Sequence, residues 1–239
     1  MTLGKWPKRP PSLTEEQARQ RHDFLKKWHE VLPRKYSVIE KFNQECPIIL
    51  KTGVRPGIKT LEIGAGLGEH ISREDLEIQH YTALEIRKDF AEIIRKKFPK
   101  VSVLNEDIEK QTSLASQSFD RIIAIHILEH LRQLPLALAE IKRILAKDGF
   151  FNVVIPCEGG LAYRLARRVS AQRLFESHFH SPYKPIIENE HVNQASELIE
   201  ELRKHFRVIQ SSYWPLKLPL ININLAIALA CRHVQPINC

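Results

Sequence analysis

Three carboxylates follow one another at nearly equal intervals along this chain, each at the end of an apolar segment. Glu85 follows Glu62 by 23 residues, and Asp107 follows Glu85 by 22. These intervals suit strands of a parallel sheet, whose carboxyl ends meet at one edge. Carboxylates there can accept hydrogen bonds from an amine, from two ribose hydroxyls and from an exocyclic amino group. They predict a site for a nucleoside with an amino-acid-like tail.

A glycine-rich loop separates the first two carboxylates. Gly64, Gly66 and Gly68 follow an apolar segment, and glycines at such a turn let a ligand approach the backbone closely. The dinucleotide fingerprint requires a further glycine where the chain has Glu69, and the loop has no basic residue to bind a pyrophosphate. The loop therefore predicts a ligand without phosphates and disfavours a nicotinamide-dependent dehydrogenase.

Alternating apolar and amphipathic segments indicate the elements that position these residues. Near-continuous apolar strands separated by amphipathic helices predict a parallel sheet that is covered on both faces. The predicted strands are Lys59–Ile63, Tyr81–Ile86, Val101–Leu104, Phe119–Ile127 and Phe150–Ile155, with two more near Arg207–Tyr213 and Ile223–Cys231.

The flanking segments have a different pattern. We predict a flexible basic tail over residues 1–13 and a helical segment over residues 14–55, whose first helix starts at a Thr14–Gln17 capping box. Pro33 should interrupt that helix, and the next should end before Pro47. Within the main domain, residues 56–239, we expect residues 156–194 to form a cap, with a basic helix and then a His/Pro-rich loop over His178–His191.

Composition excludes several classes of protein. The 239 residues are 43% hydrophobic and 27% charged, as in an ordinary globular domain, and the longest apolar stretch is shorter than the roughly 20 residues of a bilayer span. Four scattered cysteines without a CxxC pair disfavour a zinc site and a disulfide framework, and fit a reducing cytoplasm. The net charge is +8, but residues 1–35 hold nine Lys and Arg against four Asp and Glu. A nucleic-acid surface is therefore disfavoured.

Four motifs in order resemble the class I S-adenosylmethionine-dependent methyltransferases of the type 11 group. They are the Glu62-x-Gly64-x-Gly66-x-Gly68 loop, the carboxylates Glu85 and Asp107, the segment Phe119–His130, and Ala139–Leu145 with Asp148-Gly149. The resemblance covers about Thr60–Pro156, and Phe150 departs from the second glycine that the group often has. It implies an α/β, Rossmann-like, doubly wound sheet, mostly parallel with an antiparallel last strand, and methyl transfer by in-line displacement with S-adenosylmethionine as cofactor.

The resemblance also implies a set of cofactor-binding residues. These are Glu62, Gly64, Ala65, Gly66, Gly68, Glu85, Ile86, Asp107, Ile108 and His126. Two assignments stay open. Asn105 and Glu106 compete with Asp107 for its role, and His126 is either a core histidine or a contact at the edge of the cofactor.

Acceptor recognition should lie outside the resembling core. The candidate substrate-binding residues are His130, Tyr163, Arg164 and Arg167. Arg164, Arg167 and Arg168 share a helix face, which is either solvated or faces an anionic acceptor. His191 is the candidate catalytic base, because an imidazole with a pKa near 6.5 can remove a proton from a hydroxyl at neutral pH. We predict no metal ion.

Together these features predict a cytoplasmic methyltransferase that acts on a small molecule or glycan precursor, at oxygen. The segment after Ile155 resembles a bacterial subset of type 11 proteins associated with cell-surface polysaccharides. One alternative is an RNA methyltransferase, but His126-Ile127-Leu128-Glu129 stands where amino-group methylation of bases typically uses Asn/Asp-Pro-Pro-aromatic. The other is a non-catalytic module that binds S-adenosylmethionine. The sequence also allows a homodimer.

Overall fold

One seven-stranded sheet organises the protein, whose computed structural model describes residues 5–49 and 55–234. The strand order is β3-β2-β1-β4-β5-β7-β6. The strands are β1 Ile58–Ile63, β2 Gln79–Leu84, β3 Ser102–Leu104, β4 Phe119–Ile125, β5 Leu145–Pro156, β6 Phe206–Trp214 and β7 Ala226–His233. Neighbours among β1–β5 pair in parallel, and β7 runs antiparallel to both β5 and β6. The predicted fold class is confirmed.

Helices cover both faces of the sheet. They are α1 Glu15–Lys35, α2 Ser37–Ile49, α3 Lys88–Lys97, α4 Leu134–Ile144, α5 Leu161–Arg167, α6 Arg173–Phe179, α7 Lys184–Glu190 and α8 Ala195–His205, with a π-helical turn, Arg168–Gln172, between α5 and α6. Val153 packs in the cluster that contains α4 and α8, whereas Val154 packs with Cys46 of α2. Adjacent residues of a strand point to opposite faces, so α2 lies opposite α4 and α8.

The cap is built from two distant parts of the chain. Phe24 of α1 is buried, and its ring centre lies 5.2 Å from that of Phe175 in α6 and 5.6 Å from that of Tyr183. Ile186 of α7 completes this apolar cluster. The predicted N-terminal helical segment and the predicted cap therefore share one small core.

Two predicted helix boundaries and one predicted loop were wrong, and strand β5 begins at Leu145 and not at the predicted Phe150. Helix α1 continues past Pro33 to Lys35, and α2 continues to Ile49 with Pro47 inside it. A proline near a helix end removes one backbone hydrogen bond, so the helix can continue past it. The carbonyl of Pro47 accepts a hydrogen bond from Asn152 Nδ2 at 3.0 Å. The predicted loop over His178–His191 contains α7, whose Ile186 is 2% exposed. Burial of Ile186 stabilises α7, which has seven residues and is too short to be predicted from its sequence pattern.

The N-terminal segment also differs from the free tail that we predicted for residues 1–13. Residues 5–13 lie against the main domain, where Trp6 Nε1 donates to Asn193 Oδ1 at 3.0 Å and the Lys8 backbone N–H donates to the Arg132 carbonyl at 2.9 Å. The capping box is confirmed, because the Gln17 backbone N–H donates to Thr14 Oγ1 and the Thr14 N–H donates to the Gln17 side chain.

Two expectations from composition can be compared with the fold. Cys46, Cys157 and Cys231 are buried free thiols, and burial raises the pKa of both Cys157 and Cys231 to about 12. Cys239 lies outside the described residues. None of the helices within residues 5–49 and 55–234 combines the length and apolar character that crossing a bilayer requires.

Candidate functional site

The glycine-rich loop begins where β1 ends. Gly64, Gly66 and Gly68 have φ angles of 67°, 57° and 79°, a region that side chains other than glycine rarely adopt. A Cβ on Gly64 would lie 2.5 Å from Ile127 Cγ1 and closer still to its Cδ1. A short 3₁₀ turn, Ile71–Arg73, follows the loop. The loop therefore needs glycine at position 64 both for its backbone conformation and for its packing.

Glu85 joins the end of β2 to this loop. Its buried carboxylate accepts from the Gly66 backbone N–H at Oε2 and from the Arg87 backbone N–H at Oε1, both at 2.9 Å. A carboxylate has about four lone-pair sites, so capacity for further donors remains. Asn105 Nδ2 donates to the carbonyls of Glu85 and Ile86, and the Ile86 side chain is exposed beside them. Glu85 thus positions the loop and can still bind hydroxyl groups.

Glu62 is buried within β1, directly before the loop. Tyr81 on β2 donates its hydroxyl to Glu62 Oε2 at 2.8 Å. Burial raises the pKa of Glu62 to about 7, although the charge of His70 and the Tyr81 hydrogen bond act in the opposite direction. Glu62 therefore changes its charge near neutral pH, next to the glycine loop.

Each of the three candidates after β3 has its own partners in the structure. The Asn105 amide is bound to backbone carbonyls, and the Glu106 carboxylate accepts from the backbone N–H and the hydroxyl of Ser113. Asp107 is half-buried, accepting from the Glu109 N–H at 3.0 Å, and the next residue, Ile108, is buried. Asp107 Oδ2 also lies 3.5 Å from Lys110 Nζ, so the assignment of the adenine contact to Asp107 stays a prediction.

Half-buried His126 pairs with buried Glu129 after β4. His126 has a φ of 52°, and its Nδ1 lies 3.1 Å from Glu129 Oε1. Burial alone would raise the pKa of Glu129, but the hydrogen bond and charge of His126 and the charge of His130 lower it to about 2. In the described part of the chain, the buried atoms His126 Nε2 and Glu129 Oε2 have no hydrogen-bond partner. The pair therefore keeps capacity for a further polar contact on each side chain.

The cap brings a second cluster of polar side chains to the same edge of the sheet. His191 Nδ1 lies 2.7 Å from Glu158 Oε2, and Arg167 Nη1 donates to both Glu158 oxygens at 2.6 Å. The His130 ring centre lies 5.0 Å from that of His191, and the Arg167 guanidinium lies 5.6 Å from the centre of the Tyr163 ring. Four residues that the sequence analysis selected therefore lie close together: His130, Tyr163, Arg167 and His191.

The predicted arginine face divides in two. Arg167 turns to Glu158, whereas Arg164 and Arg168 are exposed to solvent. Because Arg167 is held by an ion pair within the protein, the face does not offer all three guanidinium groups to one ligand. Arg164 stays a prediction that rests on its position alone.

Sequence reasoning missed Glu129 and Glu158 as members of this site. A signal for Glu129 was present, because it follows His126 by three residues and precedes His130 directly. For Glu158 the sequence holds no comparable signal, since its partner His191 is 33 residues away and is brought to it by α7 and the loop beyond.

Comparison with known proteins gives one family match. A methyltransferase domain family, Methyltransf_11, matches residues 61–153, the stretch that runs from β1 to β5. No curated protein matches the chain.

Solved structures with the same fold include several methyltransferases. PH0226 from Pyrococcus horikoshii has a TM-score of 0.62 at 15% identity, covering 82% of this chain and 91% of its own. A TehB-like SAM-dependent methyltransferase from Corynebacterium glutamicum has a TM-score of 0.60 at 14% identity, covering 91% and 100%. The Burkholderia thailandensis 1,6-didemethyltoxoflavin-N1-methyltransferase was solved with bound 1,6-didemethyltoxoflavin and S-adenosylhomocysteine. It has a TM-score of 0.59 at 18% identity, covering 95% of this chain and 93% of its own. At such identities the similarity shows the fold alone.

Proposed function

The chain carries a methyltransferase domain with the class I, S-adenosylmethionine-dependent fold, and we propose that it methylates an oxygen atom of a small-molecule or glycan-precursor acceptor. The observation that carries the cofactor half is the contact between Glu85 and Gly66, which joins a buried carboxylate to the glycine loop at the carboxyl edge of the sheet. When bound, the cofactor supplies a methyl group on a sulfonium sulfur.

Each strand-end carboxylate has a distinct part in holding the cofactor. Glu62 would accept from the cationic amine, Glu85 from the ribose hydroxyls and Asp107 from the amino group of the adenine. The main chain of the loop, Gly64 to Gly68, would approach the ligand closely, since no Cβ stands at its three glycines. In-line methyl transfer depends mainly on alignment, which these fixed groups would provide.

The proposal that the acceptor atom is an oxygen rests on the contact between Glu158 and His191. Glu158 accepts at His191 Nδ1, so the imidazole is held in one orientation, with Nε2 available for a proton. Arg167 keeps Glu158 in place from the other side. An oriented imidazole of this kind can take the proton of a hydroxyl acceptor, which favours oxygen as the methylated atom.

A direct test measures S-adenosylhomocysteine formation with a panel of hydroxylated acceptors, including nucleotide sugars and uronic acids. We expect turnover with one acceptor class, and a loss of about 100-fold or more in kcat for His191→Ala, as removal of a general base typically causes. His22→Ala, at an exposed position on α1, is the matched control. Unimpaired turnover by His191→Ala would remove His191 from the reaction.

The pH dependence of cofactor binding should report on Glu62. With a pKa of about 7, the fraction of ionised Glu62 rises about tenfold between pH 6 and pH 8. Affinity for the cationic amine of S-adenosylhomocysteine should rise by up to that factor. The stability of the fold should change with pH in the opposite direction. The folded chain keeps a proton on Glu62 that the unfolded chain loses above about pH 4.5, so the free energy of unfolding falls as the pH rises to about 7.

Calorimetric titrations at pH 6, 7 and 8 check this prediction. The titratable groups that act on Glu62 are Tyr81, His70, Glu74 and Glu69. Glu62→Gln keeps the shape of the side chain and removes only its own titration, so the affinity of this variant should no longer rise with pH. An equal rise in Glu62→Gln would assign the effect to a neighbour, and the exposed Glu92→Gln should behave as the unmodified protein.

The same titrations and assays separate the alternatives. Cofactor turnover that depends on added RNA would favour an RNA methyltransferase, which the net charge of +8 motivates. Cofactor binding without turnover on any acceptor would favour a non-catalytic module. We further propose a cytoplasmic location, which the free thiols Cys46, Cys157 and Cys231 support, and a homodimer, which sedimentation would test.

A further inference from the structure

Three metal-ligating side chains converge where the cap meets the carboxyl edge of the sheet. One ligand atom from each of Glu129, His130 and His191 lies within 4.8 Å of the other two. Glu129 is buried, and the two histidines are half-buried. The first two residues follow β4 and the third follows α7, so only the folded cap forms the cluster.

Both histidines are held so that Nε2 is available. His130 Nδ1 lies 2.9 Å from the Glu190 carbonyl oxygen, and His191 Nδ1 lies 2.7 Å from Glu158 Oε2. In the described part of the chain, neither Nε2 atom makes a hydrogen bond. Metal-bound histidines characteristically use one ring nitrogen on a carbonyl or carboxylate and the other on the ion. The two rings therefore have the orientation that an ion requires.

The buried carboxylate of Glu129 has an unused oxygen. Its side chain is 1% exposed, and within residues 5–49 and 55–234 no donor bonds to Oε2, while Oε1 is 3.1 Å from His126 Nδ1 and 4.0 Å from His130 Nε2. Buried carboxylate oxygens in proteins are almost always bonded to a donor or to a metal ion. His126 thus orients Glu129 and leaves one oxygen for a positive partner.

We propose that Glu129, His130 and His191 bind a single divalent transition-metal ion. Two imidazole nitrogens and one carboxylate oxygen suit Zn²⁺, Mn²⁺, Fe²⁺ or Co²⁺ better than Ca²⁺ or Mg²⁺. Three protein ligands leave coordination positions open, as in catalytic rather than structural sites. The sequence predicted no metal ion, since its four scattered cysteines form no CxxC pair.

The catalytic part of this inference rests on the proposed function. An ion at this position would lower the pKa of an acceptor hydroxyl that binds to it, and the proton would leave to solvent. The oxygen would then form its bond to the methyl carbon as the carbon–sulfur bond breaks, with the electron pair leaving on sulfur. His191 would act as a ligand in this scheme, and Glu158 and Arg167 would be positioning residues behind it.

Metal binding can be measured without any acceptor. The full chain is stripped with a chelator, dialysed and titrated with ZnCl₂ and separately with MnCl₂ in a calorimeter. We expect one ion per chain, an affinity at least tenfold lower in His130→Ala and in His191→Ala, and a 10- to 100-fold loss in Glu158→Gln, a typical effect of removing the partner of a metal-bound histidine. His22→Ala should bind as tightly as the unmodified protein, and thermal unfolding checks that each variant folds.

The outcomes separate this proposal from the proposed function. The stripped protein is also titrated with S-adenosylhomocysteine. If that ligand binds and neither metal binds stoichiometrically, or if His22→Ala weakens the metal as much as His191→Ala, the metal site is overturned and His191 stands as the general base. If the metal binds and S-adenosylhomocysteine does not, the metal site stands and the proposed function fails.

Discussion

Replacing Glu85 with alanine should weaken the binding of S-adenosylhomocysteine by about 100-fold or more. Hydrogen bonds to a charged group contribute about 1.5–3 kcal/mol each, and a carboxylate that takes two ribose hydroxyls would lose two of them. The variant also removes the acceptor of the Gly66 N–H, which lies 2.9 Å from Glu85 Oε2, so the middle of the glycine loop loses this hydrogen bond. Both effects act in the same direction. Calorimetric titration of the purified protein measures the result.

Two companion variants make the Glu85 test specific. Glu92→Ala removes an exposed carboxylate from α3 and should leave the affinity unchanged. Glu85→Gln keeps one accepting oxygen but loses the charge, so its affinity should fall between those of the unmodified protein and Glu85→Ala. If Glu85→Ala bound the ligand as tightly as Glu92→Ala does, the assignment of Glu85 to the ribose would be wrong.

Gly64→Ala should lower the free energy of unfolding by about 2–5 kcal/mol and abolish measurable cofactor binding. A left-handed conformation costs a residue with a Cβ roughly 1–2 kcal/mol, and Gly64 has a φ of 67°. Its Cβ would also overlap Ile127, and overpacking typically costs about 1–3 kcal/mol more. Denaturant unfolding measures the stability change, and calorimetry with S-adenosylhomocysteine measures the loss of binding.

Gly57 offers a control with the same conformational strain. Its φ is 80°, and among the described residues no heavy atom lies within 4 Å of where its Cβ would stand, so Gly57→Ala should cost only about 1–2 kcal/mol. Combining Gly64→Ala with Ile127→Ala removes the overlap and isolates the strain at the loop. Equal losses for Gly57→Ala and Gly64→Ala would contradict the packing argument.

Local properties of the sequence were sufficient for most of the sheet. Strands β1 to β4 are short runs rich in apolar residues, a pattern that depends on burial of each segment and not on its distant partners. Gly64, Gly66 and Gly68 were predicted for a similar reason, because a tight turn that approaches a ligand needs positive φ angles. Glu62 and Glu85 then follow from their positions at the ends of two adjacent parallel strands. The placement of these residues therefore needs little knowledge of the rest of the chain.

The contacts of the cap, where we propose that the acceptor binds, could not be predicted from local sequence patterns. Trp6 binds Asn193 across 187 residues, and Glu158 binds His191 across 33, so neither contact has a periodic signature. Helix α7 has only seven residues, too few to be stable alone, and it forms because Ile186 is buried against α1 and α6. The sequence thus determined the fold and the cofactor edge through local patterns, whereas packing of the cap decided which histidines and carboxylates meet.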